Sequence, residues 1–103
     1  MFIIINKDVI ITFSQKDKSH YFEHNDGIDD YKIHCFNGEA KVILVCSDRF
    51  KDEGMKEDFF DIYWNHLDVK RPRKDNSIDI IKKPQQLEKI IELSEMLSKD
   101  ILF

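Results

Sequence analysis

An α+β domain, built mainly from antiparallel hairpins with a C-terminal helix packed on the sheet, is what this sequence predicts. Three observations predict it. Short β-branched and aromatic runs fill the first half, Asn-Gly and Asp-Gly pairs stand between them, and a helical apolar stripe occupies the last twenty residues. The expected inventory is about five to six strands and two helices. A chain of 103 residues with 42% hydrophobic content suits one two-layer core, so residues 1–103 are read as a single domain.

The strands come first. Residues 2–5 and 9–13 are apolar runs separated by Asn6, Lys7 and Asp8, which reads as a first hairpin. Residues 19–24 end in Asn25, Asp26 and Gly27, where the Asp-Gly pair supplies the positive φ of a tight reversal and so a second hairpin. Residues 31–36 and 39–46 flank Asn37-Gly38, the strongest of the hairpin signals. A two-residue loop there sets Phe36 opposite Glu39, Cys35 opposite Ala40, Ile33 opposite Val42 and Tyr31 opposite Leu44. Cys35, Ala40, Ile33, Val42, Tyr31 and Leu44 then share the core-facing side, with Lys32, His34, Lys41, Ile43 and Val45 on the other.

Residues 55–67 fit two templates. Met55, Phe59, Ile62, Tyr63 and Leu67 share a helical face, yet Phe60, Ile62 and Trp64 alternate with Phe59, Asp61 and Tyr63 as on a strand. Length, the acids Glu57 and Asp58 at the start and His66 at the end select the helix. Residues 77–81 read as one more short strand. Pro84 then opens the final helix, whose stripe is Leu87, Ile90, Ile91, Ser94, Leu97 and Ile101 with Glu88, Glu92, Glu95 and Lys99 opposite.

Motifs that carry chemistry are absent from the sequence. His20 and His24 would bring two imidazoles to one metal on a helix, but on a strand four residues span about 13 Å, too far for one ion. Cys35, with His34 beside it, is placed on the core side, where a free thiol behaves as a small hydrophobe. The acids Glu23, Asp26, Asp29 and Asp30 lack calcium-loop spacing, and three glycines cannot build a phosphate-cradling loop. No catalytic residue, metal or cofactor is expected. Two cysteines without zinc spacing suit a reducing compartment, and no apolar run approaches membrane-spanning length or forms an export leader, so a cytoplasmic location is expected.

Two surface features remain. Residues 48–69 hold seven acids against three bases, interleaved with aromatics; on the expected helix Phe60 and Trp64 border Glu57 and Asp61 at i, i+4 spacing. An aromatic anchor beside carboxylates is what binds a cationic protein surface, since the ring supplies desolvated area and the acids steer and pair with Lys and Arg. Glu57, Asp58, Phe60, Asp61 and Trp64, joined by Asp29 and Asp30, form the expected partner-binding set. With a formal charge of −4 they point to a small non-enzymatic inhibitor of the immunity or antitoxin type, covering the active site of a basic toxic enzyme such as a nuclease. The alternative is a nucleic-acid-binding or regulatory module that uses the basic loop of Lys70, Arg71, Arg73 and Lys74. The acidic balance makes nucleic acid the lesser expectation.

Overall fold

The computed structural model of the protein describes residues 8–14, 28–47, 54–69, 76 and 81–100. Five strands, β1 (Asp8–Ser14), β2 (Ile28–Phe36), β3 (Glu39–Ser47), β4 (Lys56–Phe60) and β5 (His66–Leu67), form one antiparallel sheet in chain order. One helix, α1 (Leu87–Asp100), packs on it. The α+β architecture stands with five strands and one helix among the described residues. The first hairpin's leading strand, the segment 19–24 with its histidines, the short strand expected from residue 77 and the basic loop 70–74 lie outside them, and Ile81 itself is not in a strand.

Side-chain alternation divides the sheet into two faces. One carries Val9, Ile33, Cys35, Ala40, Ile43, Val45 and Phe60 with Tyr31. Leu87 and Ile90 of α1 close over this set, and Phe13, Ile28, Ile62, Trp64, Ile81 and Ile91 pack around it. The helix touches β1, β2 and β3 but not β4 or β5. Ser94 and Ser98 also face the sheet, where bulkier side chains would hold the helix away. Ser94 satisfies its hydroxyl by donating to the Ile90 carbonyl, 2.8 Å away.

The third reversal forms as its turn chemistry requires, with Asn37 at φ 51° and Gly38 at φ 82°. Phe36 pairs with Glu39 and Cys35 with Ala40, as expected, but Lys41 is then bulged out and His34 pairs with Val42. Beyond the bulge, Ile33 faces Ile43 and Tyr31 faces Val45 instead of Val42 and Leu44. A second irregularity passes over Asp29 and restores the loop-dictated pairing at Ile28 and Ser47. The core therefore receives Ile43 and Val45, both 0% exposed, while Val42, Leu44 and Cys46 turn to the other face.

The expected helix over residues 55–67 is replaced by β4, a turn and β5. Phe59 and Phe60 take opposite faces, so both can be covered only in a strand pairing with Leu44 and Ile43 of β3. Asp61 then ends the strand. Its carboxylate accepts from the backbone N–H groups of Tyr63 and Asn65 at 2.9 and 2.8 Å and from the Asn65 side-chain amide at 2.9 Å. Asp61 N–H donates to the Asn65 carbonyl and Trp64 N–H to the Asp61 carbonyl, which closes the turn. An acid and an asparagine four apart carried this signal in the sequence, and helical periodicity masked it.

Candidate functional site

The sheet face turned away from α1 is ordered in rows across the strands. Asp8, Phe36 and Glu39 make the row nearest the Asn37-Gly38 turn, and Ile10, His34 and Val42 make the next. Thr12, Lys32, Leu44, Phe59 and Leu67 make the middle row. Ser14, Asp30, Cys46 and Glu57 make the far row. The face thus carries an apolar shelf of Val42, Leu44, Phe59 and Leu67 on β3 to β5, bordered by the polar strip of the far row, a pattern set by alternation once the Lys41 bulge has chosen which β3 residues point here.

Lys32 sits at the boundary between shelf and strip. Its side chain is 30% exposed, and its Nζ lies 3.3 Å from Oδ1 of Asp30, one pleat along β2 and 10% exposed. A mostly buried carboxylate therefore holds the ammonium over the middle of the sheet. Three other lysines lie elsewhere: Lys41 pairs with Glu39 at 2.9 Å by the turn, Lys89 with Glu92 on α1, and Lys99 lies along Gly38. Cys46, 0% exposed, is hydrogen bonded to Asp30; burial, then that bond and the Asp30 charge, push its thiol up to about 12. A thiol so protonated is no nucleophile. Cys35 is raised too, first by burial, with a Ser98 hydrogen bond opposing. Both cysteines are free.

The expected partner-binding set is not brought together. Glu57 and Asp58 are adjacent on β4, so they point to opposite faces, and they are only 3% and 1% exposed. Asp58 lies on the α1 side and meets Nε2 of His66 at 2.9 Å. Glu57 lies in the polar strip, and its carbonyl accepts from the Asn76 amide. Phe60 is a core residue at 5% exposure, stacked on Trp64 with centroids 4.0 Å apart and planes 8° from parallel. The Trp64 indole donates to the Ile81 carbonyl at 3.2 Å, and its backbone takes φ 68°. The seam of aromatics against acids therefore does not exist in the form a helix would give it. Asp61 is held by its own turn, where the hydrogen bonds from Asn65 come first in keeping its carboxyl below the usual range. Asp29 stands at the β2 irregularity, and Asp30 is committed to Lys32 and Cys46.

Lys32 was missed as a functional candidate. The signal was nonetheless present, since the hairpin alternation already placed Lys32 and His34 on the side opposite the core. Among the described residues no group of three His, Cys, Asp or Glu side chains could hold a metal ion. No described helix is long and apolar enough to cross a membrane.

The family model described as TupA-like ATPgrasp matches residues 3–103 of the chain. No curated protein and no solved structure matches.

Proposed function

This chain belongs to the TupA-like ATPgrasp family, and from that premise we propose that the sheet face opposite α1 is part of a nucleotide-binding surface. The observation that carries the reading is Lys32, a cation held by Asp30 beside an apolar shelf. A nucleoside triphosphate has an apolar, planar base and a polyanionic tail. Val42, Phe59 and Leu67, each only partly buried around the buried Leu44, offer the base a surface without polar groups to leave unpaired. The Lys32 ammonium offers the tail a charge-assisted donor, and its partner Asp30 keeps the ammonium from folding away. The reading is one of binding. It assigns no bond-making step to any residue of this chain.

The test is titration of the protein with ATP and with adenosine, followed calorimetrically. A hydrogen bond to a charged group is worth about 1.5–3 kcal/mol, so Lys32→Ala should weaken ATP binding by roughly ten- to one-hundred-fold and leave adenosine binding unchanged. Lys89→Ala, which removes an exposed helical cation paired with Glu92, should change neither. Absence of ATP binding by the wild-type chain, or equal losses in the two variants, refutes the reading.

A second reading, an inhibitor of the immunity or antitoxin type bound to a basic toxic enzyme, draws on the charge of −4 and on Tyr63, which is 77% exposed on the turn that Asp61 holds rigid. A pre-ordered exposed aromatic beside an acid suits a cationic surface. Affinity capture from the native cell, repeated with Tyr63→Ala, tests it; retention of a basic enzyme by the wild type alone is the supporting result. The nucleic-acid alternative rests on Lys70, Arg71, Arg73 and Lys74, and would be read from the salt dependence of binding to duplex and single strands.

A further inference from the structure

Strand β3 has two good ways to face the core. After Ala40 the chain reads Lys41, Val42, Ile43, Leu44, Val45, Cys46. Odd positions offer Ile43 and Val45, and even positions offer Val42, Leu44 and Cys46, so neither pairing is excluded by hydrophobicity. Strands apolar on both faces specify their register weakly. The two-residue loop favours the even set, because Phe36 opposite Glu39 and Cys35 opposite Ala40 lead directly to Ile33 opposite Val42. The structure adopts the odd set, and reaches it only by bulging Lys41.

A bulge disrupts the ladder locally and so needs a partner for the groups it disturbs. That partner comes from α1. Oε2 of Glu95, 55 positions away in sequence, accepts from the Ala40 backbone N–H at 2.9 Å, immediately before the bulged residue. The same carboxylate acts electrostatically on Lys41 and on Cys35, which places it over the irregularity. Two neighbouring contacts fix the helix there. Ser98 hydrogen bonds the Cys35 thiol, and the Lys99 chain lies so close over Gly38 that a Cβ at that glycine would come within 2.8 Å of it.

We propose that Glu95 selects the register of β3: its carboxylate stabilises the Lys41 bulge, and the bulge in turn decides which β3 side chains face α1 and which face the opposite side. Glu95 is then a positioning residue for the far face. Leu44 and Cys46 reach the rows of Lys32 and Asp30 only in the bulged pairing; in the continuous pairing Ile43 and Val45 would stand there instead. The claim concerns strand pairing alone and does not rest on nucleotide binding.

Cross-strand nuclear Overhauser contacts read the register directly. Wild type and Glu95→Gln, whose amide oxygen still accepts a hydrogen bond, should show Ile33 with Ile43 and Tyr31 with Val45. Glu95→Ala should add or substitute Ile33 with Val42 and Tyr31 with Leu44. Deletion of Lys41 removes the need for a bulge while keeping Ile43 and Val45 in the core. In that background Glu95→Ala should leave the pairing single and should lower the urea midpoint less than it does with Lys41 present. An unchanged set of contacts in Glu95→Ala overturns the proposal, as does an equal loss of stability, or failure to fold, in both backgrounds.

Discussion

Replacing Trp64 by alanine and by glycine separates a structural tryptophan from a binding one, and the two variants should fall in an unusual order. A fully buried tryptophan truncated to alanine costs about 3–5 kcal/mol. Trp64 is only partly buried against the core, so loss of packing accounts for about 2 kcal/mol of that range. The parallel stack on Phe60 adds about 1 kcal/mol, and the indole hydrogen bond to the Ile81 carbonyl about 1 kcal/mol more. Trp64→Ala should therefore destabilise the protein by about 4 kcal/mol in total. Alanine keeps the penalty of φ 68°, whereas glycine does not. Trp64→Gly should be more stable than Trp64→Ala by about 0.5–1 kcal/mol, reversing the order found where φ is negative. Urea unfolding followed by far-ultraviolet circular dichroism is the assay, since Trp64 is the only tryptophan and both variants lose its fluorescence. Glycine below alanine would show that the left-handed turn is not what places the ring. Losses under about 0.5 kcal/mol in both variants would remove Trp64 from the fold altogether and return it to the role of a surface anchor.

The remaining predictions concern the turn and the thiols. Asp61→Lys should lower the unfolding midpoint, because the lost carboxylate accepts three hydrogen bonds that close the β4–β5 turn, and Asp61→Asn should retain part of them. The folded Asp61 carboxyl lies below its ordinary value of 3.8, so its stabilisation is present above that value and is lost as pH falls through the lower folded one. The midpoint gap between wild type and Asp61→Ala should accordingly be complete at about pH 6 and close toward about pH 2; a gap independent of pH would contradict the assignment. Intact mass should report two free thiols, and neither Cys35 nor Cys46 should react with a maleimide in the native protein at mildly alkaline pH, since both are buried and raised. Rapid native labelling of Cys46 would show that the polar strip is open.

Glu57, Asp58, Phe60, Asp61 and Trp64 illustrate how a candidate site depends on a secondary-structure assignment. Their spacing makes a seam only on a helix. On a strand the first two part to opposite faces, Phe60 enters the core and Asp61 closes a turn. Lys32 had the opposite fate. Its face was derivable from the Asn37-Gly38 hairpin, but its neighbours were not, because the residues across from it depend on a bulge.

Local chemistry by itself determined the Asn37-Gly38 reversal, the strands on either side of it, the start of the final helix near Pro84 and the burial of Cys35. Each of these is decided within a few residues, by a positive-φ pair, a proline or an alternation. The β4–β5 segment and the pairing of β3 beyond Ala40 were decided only in the tertiary structure. Residues 55–67 fit two periodicities and β3 fits two phases of one, and the choice fell to partners distant in sequence: β3 for Phe59 and Phe60, and Glu95 of α1 for the Lys41 bulge. Where both faces of a segment are apolar, hydrophobic burial loses its power to discriminate. A pairing strand or a hydrogen bond from elsewhere in the fold then sets the arrangement.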